Sequence, residues 1–161
     1  MMKKIGIVDT AFSRVDMAKF AIQQIEQAKQ ICNSELTWLK ATVPGHKEVA
    51  VEALRLLEQE QCDICIVFGW VGPKALDLTS AHEAAIALAM AKVQARKHVL
   101  ECFIFESQHE QDALFEAASQ RAVAHAKSAI SMITDDPAWV VHSSIGDREG
   151  EANASVLEAI S

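Results

Sequence analysis

Four short apolar runs alternate along this chain with four segments of helical periodicity, and that alternation constrains the fold more than any other feature. The runs occupy residues 3–9, 36–42, 64–68 and 98–105; helical spacing follows at residues 15–31, 46–60, 81–96 and 110–133. Short apolar stretches bounded by turn residues read as buried strands. Val15, Ala18, Ile22, Ile25 and Ala28 recur at the spacing of one helical face, as do Val49, Ala53, Leu56 and Leu57. Leu114, Ala118, Ala122, Ala129 and Ile133 do the same. Strands alternating with helices predict an α/β fold, a parallel four-stranded sheet covered on both faces. Right-handed crossovers then bring residues 9–14, 43–48 and 69–77 to one edge of the sheet, with residues 105–109 beside them. Ligands of open α/β sheets sit at that edge.

The 161 residues, half of them apolar, suffice for one domain over residues 1–161 with a substantial core. A formal charge of −7 and a pI near 5.3 give no nucleic-acid footprint. No apolar run approaches a membrane span, and residues 1–9 lead directly into a strand without the cleavage site of a secretory signal. These features predict a cytoplasmic protein. Cys62-x-x-Cys65 enters a strand, whereas a redox pair places its first thiolate at a helix N-terminus. No second ligand pair completes a zinc site, so the cysteines read as small buried side chains.

The densest chemistry lies in residues 63–91. The run 64–68 stops at Gly69, and a loop with two glycines, Trp70, Lys74 and Asp77 follows. Ser80-Ala81-His82-Glu83 then reads as a capping box opening a helix. His82 falls in its first turn, where the helix dipole disfavours an imidazolium and leaves a neutral ring able to accept a proton. It serves equally as a capping and packing group. His82, Lys74 and Asp77 are the candidate catalytic residues. Phe12 and Trp70 offer flat faces for a planar ring, or packing surface. Pro44, Gly45, Gly69 and Gly72 let backbone N–H groups approach a ligand. Asp9, Thr10, Ser13 and Glu48 can hydrogen-bond a polyol, with His46 in the same loop as Glu48. Arg121 and His125 are i, i+4 neighbours, on a solvated helix face or reaching a neighbouring subunit's pocket. Neither a dinucleotide fingerprint nor a phosphate-binding glycine loop is present.

The motifs GIVDTAFSRVDMA, TVPGHKE, the segment from Gly69 into AHEA, KHVLECFIFE and RAVAHA occur in the order and spacing of archaeal-type riboflavin synthase. The chain resembles that family over residues 3–133. The family is in turn similar to lumazine synthase. The resemblance implies a flavodoxin-like αβα sandwich, a ring-shaped homopentamer and active sites between subunits. It implies that two molecules of 6,7-dimethyl-8-ribityllumazine react, one donating a four-carbon unit. Riboflavin and 5-amino-6-(ribitylamino)uracil result, without an organic cofactor. Mg or Mn has been associated with some members; this sequence shows no site for either, its six histidines being scattered. By the same resemblance Phe12 stacks on the lumazine ring, and Asp9, Thr10 and Ser13 line its pocket. Glu48 holds the ribityl hydroxyls and His82 moves a proton.

Three departures stand out. Trp70-Val71-Gly72-Pro73-Lys74 replaces a Met-Pro-Gly-Lys pattern, which displaces the lysine. Ala50 stands where proline is usual. The chain beyond Pro137 lacks a basic, glycine-rich ending and carries instead a short helical pattern near residues 154–159. Two other functions fit the same residues. Lumazine synthase would need an anion site, which Lys74, Arg121 and a helix start at Thr79-Ser80 could supply. A pentameric lumazine- or flavin-binding protein would need no catalysis.

Overall fold

Strands β1 (Lys3–Thr10), β2 (Leu36–Val43), β3 (Ile64–Val71) and β4 (Val99–Phe105) alternate with helices α1 (Met17–Cys32), α2 (Val49–Glu58), α3 (Ala75–Ala95) and α4 (Leu114–Ile133). The structure is a computed structural model that describes residues 1–32, 35–134, 142–148 and 151–160. The strands form one parallel sheet in the order β2-β1-β3-β4. Alternate side chains divide the core into two layers. Ile5, Ile7, Ile64, Ile66, Phe68 and Ile104 pack under α1 and α4, and Val8, Cys65, Val67, Val99 and Phe103 under α2 and α3. The expected three-layer α/β sandwich is the fold observed.

The strand after Asp63 does not stop at Gly69. β3 is a central strand with all eight residues buried, and it runs through Gly69 and Trp70 to Val71. Gly69 pairs with Phe103, whose ring lies 2.7 Å from where a Cβ on Gly69 would stand. The glycine therefore marks a close approach inside the strand rather than its end. Gly69 and Trp70 are thus strand residues, not the loop residues expected.

The next helix also begins earlier than Ser80. α3 starts at Ala75, and the Asp77 carboxylate accepts the Lys74 backbone N–H at 3.1 Å. A side chain at Gly72 would meet that carboxylate at 2.6 Å, so glycine there makes room for the cap. Asp77 is accordingly a capping residue, and His82 becomes the eighth residue of α3, beyond the reach of the terminal dipole. The short 3-10 turn His46–Glu48 precedes α2, and α4 begins at Leu114 rather than residue 110.

Arg121 and His125 are not on a solvated face. β4 is an edge strand, and Arg121 Nη1 donates to the Phe103 carbonyl at 3.2 Å. A ring nitrogen of His125 lies 3.1 Å from the Glu101 carbonyl, the other 2.8 Å from that of Arg121. With His125 only 8% exposed, the pair occupies unpaired carbonyls of the sheet edge. No helix forms at residues 154–159; Val156, Leu157 and Ile160 are exposed, and a helix that short needs an apolar surface to pack on. The expected end of α4 at Asp135-Asp136-Pro137, and Gly150, lie outside the described residues. Among those described, no helix is long and apolar enough to cross a membrane. Cys62, Cys65 and Cys102 are buried. Burial pushes the Cys62 thiol up to about 11 and raises Cys65 further, which removes both from thiolate chemistry at neutral pH.

Candidate functional site

The carboxyl ends of all four strands point to one edge, as the crossovers require, and the candidate residues there separate into two clefts. The first, about 300 Å³, opens where β1 and β2 meet the start of α1. Asp9, Thr10 and Ser13 line it as expected, joined by Lys40, Thr42 and Phe68. Asp9 is already engaged: Thr42 Oγ1 donates to one oxygen at 2.5 Å, and Lys40 Nζ lies 3.0 Å from the other. Asp9 therefore holds the Lys40 ammonium at the mouth of the cleft instead of presenting free oxygens to a polyol. Thr10 is 6% exposed, and its hydroxyl has no hydrogen-bond partner among the described residues. Such a group is a ready contact for a ligand hydroxyl. Ser13 turns inward, donating to the Val15 carbonyl at 2.8 Å, while Asp16 caps α1 by accepting the Lys19 N–H.

Lys40 and Thr42 were missed in the sequence, although a signal existed. On a strand, residues two apart share a face, so Lys40 and Thr42 had to stand beside Asp9 once β2 paired with β1 in parallel.

The second cleft, about 460 Å³, lies between α3 and the edge strand β4. It brings together His82 and Arg121, residues far apart in sequence, with Phe103, Phe105 and Gln108 around them. Among the described residues the buried Arg121 Nε has no hydrogen-bond partner, so this guanidinium has a donor to spare. His82 is exposed to solvent within the cleft.

Between the clefts stand the loop residues. Phe12 is 80% exposed at the tip of the β1–α1 loop, and among the described residues it joins neither layer of the core. Pro44, Gly45 and Glu48 form the β2–α2 loop with Glu48 exposed. His46 Nε2 donates to the Trp70 carbonyl at 2.7 Å, and its ring stacks on Phe103 with centroids 5.5 Å apart. Lys47 pairs with Glu83 and ties that loop to α3. The Lys74 side chain is exposed and lines neither cleft. Trp70 is 7% exposed with its indole N–H bonded to Glu106, so its ring is not a free face. Among the described residues no three His, Cys, Asp or Glu side chains gather to hold a metal ion.

Comparison with known proteins places the chain in a family. The family model described as 6,7-dimethyl-8-ribityllumazine synthase matches residues 2–135. A riboflavin synthase of Methanothermobacter thermautotrophicus is 32% identical over 97% of this chain and 100% of its own. The riboflavin synthase of Archaeoglobus fulgidus is 32% identical over 91% and 94%, and that of Aeropyrum pernix 31% over 98% and 100%. The motifs read in the sequence therefore reflect common descent along nearly the whole chain: it belongs to the 6,7-dimethyl-8-ribityllumazine synthase family, together with the archaeal riboflavin synthases.

Proposed function

We propose that this protein is a riboflavin synthase, a transferase that makes riboflavin and 5-amino-6-(ribitylamino)uracil from two molecules of 6,7-dimethyl-8-ribityllumazine. One observation carries this reading: the end-to-end similarity to archaeal proteins of that name. The chemistry suits the residues. The C7 methyl of the lumazine is acidic because the ring delocalises the negative charge. Two copies of one substrate supply every atom of both products, so no oxidant, reductant or organic cofactor is required, and no step is assigned to a metal. The protein has to orient two rings and move protons. Orientation of that kind contributes up to about 7–11 kcal/mol, and an acid or base about 10²–10⁴-fold. Phe12 is assigned to stacking on a lumazine ring and Glu48 to the ribityl hydroxyls. Thr10 and Lys40 are assigned to polar contacts in the first cleft, and His82 to proton transfer beside Arg121. The enzyme would work in the cytoplasm.

The lumazine synthase alternative is not favoured: the curated relatives are named riboflavin synthase. Of the groups that could have supplied its anion site, Thr79 and Ser80 lie inside α3, where Thr79 Oγ1 donates to the Ala75 carbonyl.

Phe12→Ala is expected to weaken lumazine binding by about 1–3 kcal/mol, the worth of stacking a flat base on an aromatic ring. Its exposure means that the melting temperature should hardly move. Fluorescence titration beside thermal unfolding checks this, and a variant that unfolds while binding normally would make Phe12 a packing residue.

The working unit is proposed to be a homopentamer with sites between subunits. Leu76, Ile86, Met90 and Val93 stand exposed along one side of α3, an apolar stripe of the kind that marks contact with another chain. Sedimentation at low micromolar concentration should show a pentamer; a 17.6 kDa monomer alone would contradict it.

A further inference from the structure

Trp70 lies at the carboxyl end of the central strand β3, and three of the site loops are tied to it. Its indole N–H donates to Glu106 Oε1 at 2.6 Å, in the segment after β4. The same carboxylate oxygen lies 3.2 Å from Arg14 Nη1, which also donates to Gln111 at 3.1 Å. The Arg14 guanidinium carbon lies 6.0 Å from the Trp70 ring centroid, within cation–π reach. The Trp70 carbonyl accepts from His46 in the β2–α2 loop. One residue thus fixes the β1–α1 loop through Arg14, the β2–α2 loop through His46 and the β4–α4 segment through Glu106. We propose that Trp70 and the Arg14–Glu106 pair form a positioning latch that holds the Phe12 loop in its ring-stacking pose before the substrate arrives.

The inference rests on the functional reading above, in which Phe12 meets the lumazine. Phe12 is 80% exposed, so its loop is ordered by its neighbours: Ala11, whose N–H donates to the Val43 carbonyl at 2.8 Å, Ser13, and Arg14, two residues along. The Trp70 N–H, and Arg14 after it, hold the Glu106 carboxyl below the usual carboxylate range, so the pair is charged at neutral pH. Charge-assisted bonds of this type are stronger than neutral ones. A loop ordered in advance loses less freedom on binding, which appears as affinity without new contacts.

A double-mutant cycle on lumazine binding tests the latch, with Glu106→Gln and Phe12→Ala combined. Glu106→Gln preserves size and can still accept the indole N–H, but it removes the charge that holds Arg14. In the wild-type background it should weaken binding about tenfold, the scale of one charge-assisted bond. In the Phe12→Ala background it should weaken binding little further, because the residue being positioned is absent. Trp70→Phe, which preserves the ring and the carbonyl used by His46, should repeat the pattern. Equal losses in both backgrounds, or none in either, would overturn the latch, even with melting temperatures lowered. A wild-type protein that fails to bind lumazine would contradict the functional reading instead. Trypsin cleavage after Arg14 then decides: faster cutting of Glu106→Gln than of wild type supports the latch, and equal rates overturn it.

Discussion

Glutamine in place of His82 is expected to slow riboflavin formation by about 10²–10⁴-fold, with lumazine affinity nearly unchanged. His82 stands away from the helix terminus and lines, from α3, the cleft that Arg121, Phe103 and Phe105 complete. Imidazole is the side chain that exchanges a proton most readily between pH 5 and 8. Glutamine is polar and fits a helix but cannot titrate. If His82 carries the proton, single-turnover rates fall and the dissociation constant stays. A joint, smaller fall in both would make it a ring-positioning group, and full activity from pH 6 to 8 would remove it from the mechanism.

The second large effect is structural. Phe68→Ala should destabilise the fold by about 3–5 kcal/mol, the range for a buried aromatic replaced by alanine. Phe68 is 1% exposed on the α1–α4 side of the central strand, and it lines the first cleft. On this side α4 meets the sheet with Ala118, Ala122, Ala126 and Ala129, side chains too small to fill the space. Denaturant unfolding measures the loss; a change below about 1.5 kcal/mol, the range of a well-tolerated core swap, would show that the cleft floor collapses freely.

The fold was legible because its signals are local. Apolar runs of strand length, a periodic helix face at Val49, Ala53, Leu56 and Leu57, and the crossover rule together define the sheet and the edge where its loops meet. The site was legible only in part, and the errors have one origin. Gly69 and Ser80 were read as punctuation from their immediate neighbours, but tertiary contacts set the boundaries. The ring of Phe103 fills the space beside Gly69, so β3 continues and carries Trp70 into the core. The Asp77 carboxylate caps a helix that starts five residues ahead of Ser80. Those two shifts turned Trp70 from a ring face into an anchor and moved His82 off the helix end. Arg121 and His125 looked like a free helical pair because an edge strand's open carbonyls cannot be seen in the sequence of the helix that covers them. The exposure of Phe12, in contrast, was readable from its place in a loop after a strand.

The most direct test of the account is to give the purified protein 6,7-dimethyl-8-ribityllumazine as sole substrate and follow the products. Riboflavin and 5-amino-6-(ribitylamino)uracil should appear together in equal amounts, without any added organic cofactor. Binding without product, or product formed only when the pyrimidinedione and dihydroxybutanone phosphate are supplied together, would contradict it.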